Sequence, residues 1–224
     1  MKHPSILFMA VILLIITACH KDNDREPAPI DTNNWVDLGL PSGLLWAKCN
    51  LGANAPEENG NHYAWGEIQP KEFYMWNNYI YGSFDNVTKY CSNAEFGYNG
   101  FTDTLTSLEA MDDAATVALG IGARTPTKAE WEELSNNTTS MWVMQNGVRG
   151  KLFIGPNGNT LFLRPAGVRS GWSLGSTEYG YYWSSSLCTG NSNSAWCFEM
   201  NDQCMDGFTR QCGLPVRPVH SAQN

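Results

Sequence analysis

The sequence is poor in charge: Asp, Glu, Lys and Arg make up 16% of its 224 residues. Basic residues are the scarcer kind, 14 Lys and Arg against 22 Asp and Glu, for a formal charge of −8. Nucleic acid is held by clustered Lys and Arg, so this composition speaks against a nucleic-acid partner. It speaks equally against a polybasic membrane-binding surface. The histidines are few and far apart and no Cys-x-x-Cys pair exists, so the ligand spacing of a zinc site is missing. Gly120-Ile121-Gly122 lacks the rest of a dinucleotide fingerprint. There is no internal repeat. The single long apolar run, residues 6–16, falls short of the roughly 20 residues that span a membrane.

That run follows Lys2 and ends Ile16-Thr17-Ala18-Cys19. A basic start, a short apolar stretch and small residues before a cut describe a secretory signal. With the cysteine last, the motif resembles the bacterial lipobox. The resemblance implies cleavage before Cys19 and lipid on its thiol and new amine, several acyl chains being enough for a stable anchor. Residues 1–18 are then a lipoprotein signal peptide, and removing them leaves 206 of 224 residues. The next stretch, His20-Lys21-Asp22-Asn23-Asp24-Arg25-Glu26, resembles the surface-export signal of Bacteroidetes lipoproteins, which implies an outer-membrane protein facing outward. Residues 19–34, polar and carrying Pro27 and Pro29, read as the lipidated cysteine and a flexible tether.

Residues 35–219 form one domain, with a short tail at 220–224. Two helices are expected. One covers 107–119, with Leu108, Met111, Ala115 and Ala118 on one stripe and Gly120 as a stop. The other is about two turns long and begins at the capping box Thr127-Lys128-Ala129-Glu130, where hydroxyl and carboxylate each satisfy an orphan amide. Short strands are expected at 44–50, 63–67, 141–145, 151–155, 160–163, 181–185, 195–200 and 215–219, with a hairpin turn at Asn146-Gly147. Helices early, hairpins late and many loops make an α+β domain. Six cysteines remain after Cys19; outside the cytoplasm they permit disulfides, but spacing selects no pairing and free thiols stay open.

Three stretches carry a family resemblance: Val36-Asp37-Leu38-Gly39-Leu40-Pro41-Ser42-Gly43 with Leu45-Trp46-Ala47; Arg124-Thr125-Pro126-Thr127-Lys128-Ala129-Glu130-Trp131; and Tyr182-Trp183-Ser184-Ser185-Ser186 closed by Gly213-Leu214-Pro215-Val216-Arg217-Pro218-Val219. Together they resemble the Bacteroidetes and Fibrobacter lipoproteins named after the Fibrobacter succinogenes major paralogous domain. Members of that family resemble the C-type lectin-like fold shared with formylglycine-generating enzymes. The resemblance implies two helices, two small antiparallel sheets, adjoining first and last strands, and long loops over one face. Trp46, Trp131, Trp183 and Trp196 are expected to anchor the core. Arg124 and Arg217, in apolar surroundings, are expected to be held by carboxylate or carbonyl groups.

No cofactor is expected. Glu199-Met200-Asn201-Asp202 has the oxygens of a lectin calcium site. It lacks the Pro of a Glu-Pro-Asn loop, and Trp196 is not beside the Asn-Asp pair, so a solvated acidic turn is the simpler reading. Gly171-Trp172-Ser173-Leu174-Gly175 matches a nucleophile elbow in letters, but loop residues follow where a helix is needed. Cys204 and Cys212 lie near the region of the formylglycine-type cysteine pair, yet Asp202 and Asp206 supply the opposite of the electropositive setting a reactive thiol wants. The reading is therefore of a non-enzyme. Aromatic residues crowd 63–81 and 181–196 and suit stacking on sugars or proteins, although each alone reads as core. Residues 187–211 show no clear period. In some C-type lectin-like proteins this segment is diversified by retroelements, and the candidate ligand-facing residues are Cys188, Asn191, Asn193, Trp196, Asp202, Gln203, Met205, Asp206, Phe208 and Gln211. The expectation is a lipid-anchored surface protein that binds a glycan or protein. The alternatives are a structural or adhesive subunit such as a pilus tip, and a formylglycine-generating-type enzyme.

Overall fold

The computed structural model describes residues 33–120 and 122–221. The segments expected to be a signal peptide and a tether, the expected lipid site Cys19 and the end of the tail lie outside them, apart from residues 33 and 34 of the tether. Among the described residues there are sixteen short strands: β1 (Trp35–Asp37), β2 (Leu45–Ala47), β3 (His62–Tyr63), β4 (Gly82–Ser83), β5 (Asn86–Val87), β6 (Ala123–Arg124), β7 (Thr139–Gln145), β8 (Val148–Ile154), β9 (Thr160–Leu163), β10 (Val168–Ser170), β11 (Ser173–Gly175), β12 (Tyr181–Leu187), β13 (Ser194–Glu199), β14 (Cys204–Thr209), β15 (Leu214–Pro215) and β16 (Val219–His220). Two α-helices, α1 (Ala114–Leu119) and α2 (Lys128–Asn137), complete the α+β domain. All strand pairs are antiparallel, and they form six small sheets rather than two. The first and last strands do adjoin: the four-stranded sheet runs β1-β2-β16-β6.

Asn146-Gly147 turns β7 into β8 with φ of 48° and 80°, as a type I′ hairpin requires. The capping box of α2 is formed, Glu130 N–H donating to Thr127 Oγ1 and Thr127 N–H to Glu130 Oε2, a cap contributing about 1 kcal/mol. The helix is longer than expected, at 10 residues. The earlier helix is shorter. Buried Asp113, extended at φ −95°, accepts from Ala115 N–H and from the amide and hydroxyl of Thr125, so the helix starts only at Ala114. Met111, expected on its core stripe, is 69% exposed in a preceding 3₁₀ turn. The expected strand at 215–219 is split, because Arg217 turns inward between β15 and β16. Strands β1, β4, β5, β6, β10, β11 and β14 lie outside the expected ones.

The sheet β12-β13-β14 separates two apolar clusters. On one face Trp131 of α2 stacks on Phe198 at 4.7 Å and 4° and touches Trp46 and Tyr182. On the other face Trp183, Trp65, Tyr74 and Tyr90 pack together. Three buried indoles bridge segments, Trp65 donating to the Ser184 carbonyl, Trp131 to that of Trp183 and Trp183 to that of Tyr63, whereas the Trp46 N–H meets no acceptor among the described residues. Trp196 departs from the expected core role. It is half-buried, with the Lys128 ammonium 4.2 Å above its ring.

Arg124 forks onto Glu130, and Arg217, fully buried, donates to the carbonyls of Ala47 and Lys48 and to Asn50 Oδ1. Both are structural. His62 is buried on β3, paired with Pro215 and bonded to the Ala166 carbonyl at 3.0 Å. Burial, with nearby Arg169, pushes its imidazole down from 6.5 to about 4. The unfolded chain therefore takes up a proton that the folded chain refuses. This stabilisation is complete above pH 6.5 and is lost as pH falls towards 4, a change on the order of 3 kcal/mol. Urea midpoints measured from pH 7 to pH 4.5 should fall accordingly, and His62→Gln should flatten that part of the curve; equal slopes in both proteins would contradict the assignment.

Candidate functional site

The segment 187–211, which lacks an evident period, is a strand hairpin with apolar residues on both faces. Pairing of Cys197 with Asp206 and of Phe198 with Met205 sets the alternation. Asp206 and Phe208 share a face with Tyr181 and Trp183, whereas Trp196 and Met205 point to the opposite face, that of Phe198 and α2. The ten candidate residues therefore do not make one surface. Cys188, Asn193 and Gln211 are buried, at 8%, 2% and 9% exposure, and face no ligand. Asn191 is exposed in the turn before β13. Gln203 is tied down, its carbonyl accepting from Ser135 Oγ and its side-chain oxygen from Ser140 Oγ. Asp202 is exposed in the same turn.

What the sheet does bring together is a partly open aromatic row. Tyr179 stacks along Tyr181 at 6.1 Å and 21°, and Phe208 meets Tyr181 at 5.2 Å. Asp206 borders it. Glu199 closes its own turn: its two carboxylate oxygens accept the Asn201 and Asp202 amides at 3.0 and 2.7 Å. No grouping of three or more metal-ligating side chains occurs among the described residues.

A second aromatic feature was not read from the sequence. Gly171 and Trp172 are the two-residue turn of the β10–β11 hairpin, with Gly171 at φ +57° in the first central position of a type II′ turn. Trp172 is 71% exposed, and one side of its ring rests on Phe73 at 4.8 Å. The hairpin is stitched to the body by four backbone bonds, two exchanged between Gly171 and Tyr74 and two between Arg169 and Gly213, all 2.9–3.0 Å. Its base meets the aromatic row where Gly167 N–H donates to the Tyr179 carbonyl. The readable signal was a bulky indole at the tip of a Gly-punctuated turn, a place with no core to face. The same geometry disposes of the elbow motif: Ser173 opens a strand after a two-residue turn, and no helix follows.

The loops beneath this face are held by Arg210, also missed in the sequence. It is 0% exposed and donates to Tyr79 Oη and to the carbonyls of Lys89, Tyr90 and Ser192 at 2.8–3.1 Å. Four rings surround its guanidinium, Trp65 nearest at 4.9 Å. Through it the segment carrying Phe73, Tyr74 and Tyr79 is fastened to the β13–β14 sheet.

Comparison of the chain with protein-family models, with curated proteins and with solved structures returns no match.

All six described cysteines are free thiols. Cys204 is exposed at the start of β14, and Cys212 is buried beyond its end, so about 16 Å of strand separates the two ends and they form no reactive pair. Burial and the carboxylates of Glu199, Asp202 and Asp206 push the Cys204 thiol up. A maleimide pulse on the native protein should label Cys204 well before Cys91, Cys197 and Cys212. Its rate should go on rising with pH beyond the point where an ordinary thiol levels off. Denaturation without reductant should expose all six; a pair that labels only after reduction would contradict this.

Proposed function

We propose that the chain is a lipid-anchored binding protein of the outer-membrane surface, with a domain of the C-type lectin-like type, and that it recognises a glycan by stacking a sugar ring on Trp172. The supporting observation is that exposed, backbone-locked indole. Water-exposed apolar rings of this size are unfavourable for a domain that could bury them, and an indole face suits the C–H face of a sugar ring. The Phe73 ring and the four strand-like backbone bonds fix the indole before any ligand arrives, so little conformational entropy is lost on binding. The row Tyr179–Tyr181–Phe208 and Asp206 offer further stacking and hydrogen bonding for adjoining sugars. The anchor rests on the lipobox-like Ile16-Thr17-Ala18-Cys19, and the fold type on the motif resemblance around Trp46, Trp131 and Trp183.

Recognition in this reading rests on stacking and needs no calcium. Glycan and mucin arrays probed with the full chain should give binding that survives a chelator. Trp172→Ala should weaken it at least tenfold, about 1.4 kcal/mol, while leaving the unfolding midpoint nearly unchanged. Absence of glycan binding, or full binding by Trp172→Ala, would overturn the reading and favour a protein ligand.

A further inference from the structure

The sheet β7-β8-β9 ends in an open edge. β7 reads Thr-Ser-Met-Trp-Val-Met-Gln, with no charged residue and no proline. Its register with β8 runs unbroken from Thr139↔Ile154 to Gln145↔Val148. Charges, prolines, bulges and short length are the usual guards of an edge strand, and β7 has none of them at seven residues. The other edges are guarded or occupied: β9 has four residues, β14 carries Asp206, and β12, equally long, spends its outer groups inside the fold on Pro126, Thr106 and Leu108.

The direction of the free groups follows from the turn. A two-residue hairpin closes on a hydrogen-bonded pair, here Gln145↔Val148, so the odd-numbered residues of β7 bond to β8. The same parity is visible in the β10–β11 hairpin, where Arg169, next to the closing pair Ser170↔Ser173, turns outward and bonds Gly213. Ser140, Trp142 and Met144 therefore turn both N–H and C=O to the open side. Among the described residues no group bonds these, and no other strand or helix runs alongside.

We infer that β7 pairs antiparallel with β7 of a second copy of this chain, about a two-fold axis at Trp142. That register sets Trp142 against Trp142 of the copy, and Ser140 against Met144 on either side. Each pair exchanges two hydrogen bonds, and every outward group is met. It also sets Met141 against Val143, so each face of one sheet continues into the like face of the other, whereas a one-residue slip would oppose them. Met141 and Met144, 54% and 66% exposed, gain cover. The chain carries a formal charge of −8, and β7 has no carboxylate, so two copies meet there without acidic side chains opposed, the Arg149 and Lys151 cations lying over the Trp142 ring on one face of the sheet.

Sedimentation velocity of the full chain in density-matched detergent tests this. The wild-type protein should sediment at twice the monomer mass. Met144→Pro should halve that mass, because the Met144 N–H has no partner among the described residues and its loss leaves the β7–β8 ladder intact. Met141→Lys, a charge on the pairing edge, should do the same and serves if near-UV dichroism shows Met144→Pro misfolded. Ile80→Lys, exposed elsewhere, should stay at twice the mass. A monomeric wild type, or a dimer that survives both β7 variants, would overturn the inference.

Discussion

Taking a guanidinium out of water costs several kcal/mol unless its donors find acceptors. Arg210 is wholly buried, and it is satisfied by three backbone carbonyls and one phenol from segments that share no regular secondary structure with it. Those carbonyls belong to loops, and loops that are packed inward must themselves have their polar groups met. One side chain solves both problems. The aromatic rings around it supply cation–π attraction in place of a carboxylate, and they are the same rings that fill the adjacent core.

The same arrangement recurs. Arg217 reaches the Ala47 and Lys48 carbonyls, joining the end of the chain to its start, and the buried Lys151 ammonium reaches the carbonyls of Met200 and Asn201, joining β8 to the β13–β14 turn. A domain built from sheets of two to four strands has many chain reversals and few long ladders. Cations on carbonyls do the work that longer sheets do elsewhere. A loop face fastened in this way can present an exposed indole without burying it and without letting it move.

Local chemistry was readable in advance and long-range chemistry was not. The capping box at Thr127, the Asn146-Gly147 turn and the strand at Thr160–Leu163 depend on neighbouring residues, and each stands where expected. The helix at 107–119 was over-extended because its periodicity said nothing of Thr125, whose bonds to Asp113 set the start. β14 escaped notice because Met205 and Phe208 serve opposite faces of a sheet buried on both sides, which erases the alternation. Arg210 has acceptors about 120 residues away, at Tyr90 and Lys89, and nothing beside it in sequence announces them. For the candidate site, the aromatic stretch around Phe73 and the row at Tyr181 were visible as composition. Trp172, sitting inside a misleading catalytic motif, became legible only as the tip of a hairpin.

The central claim is that buried cations make the loop-built face as rigid as a sheet, and amide hydrogen exchange reads this directly. The amides of Tyr74, Gly171, Arg169 and Gly213, which hold the Trp172 hairpin, should exchange as slowly as those of β13. Exchange of these four at the rate of an open loop, with β13 still protected, would contradict the account.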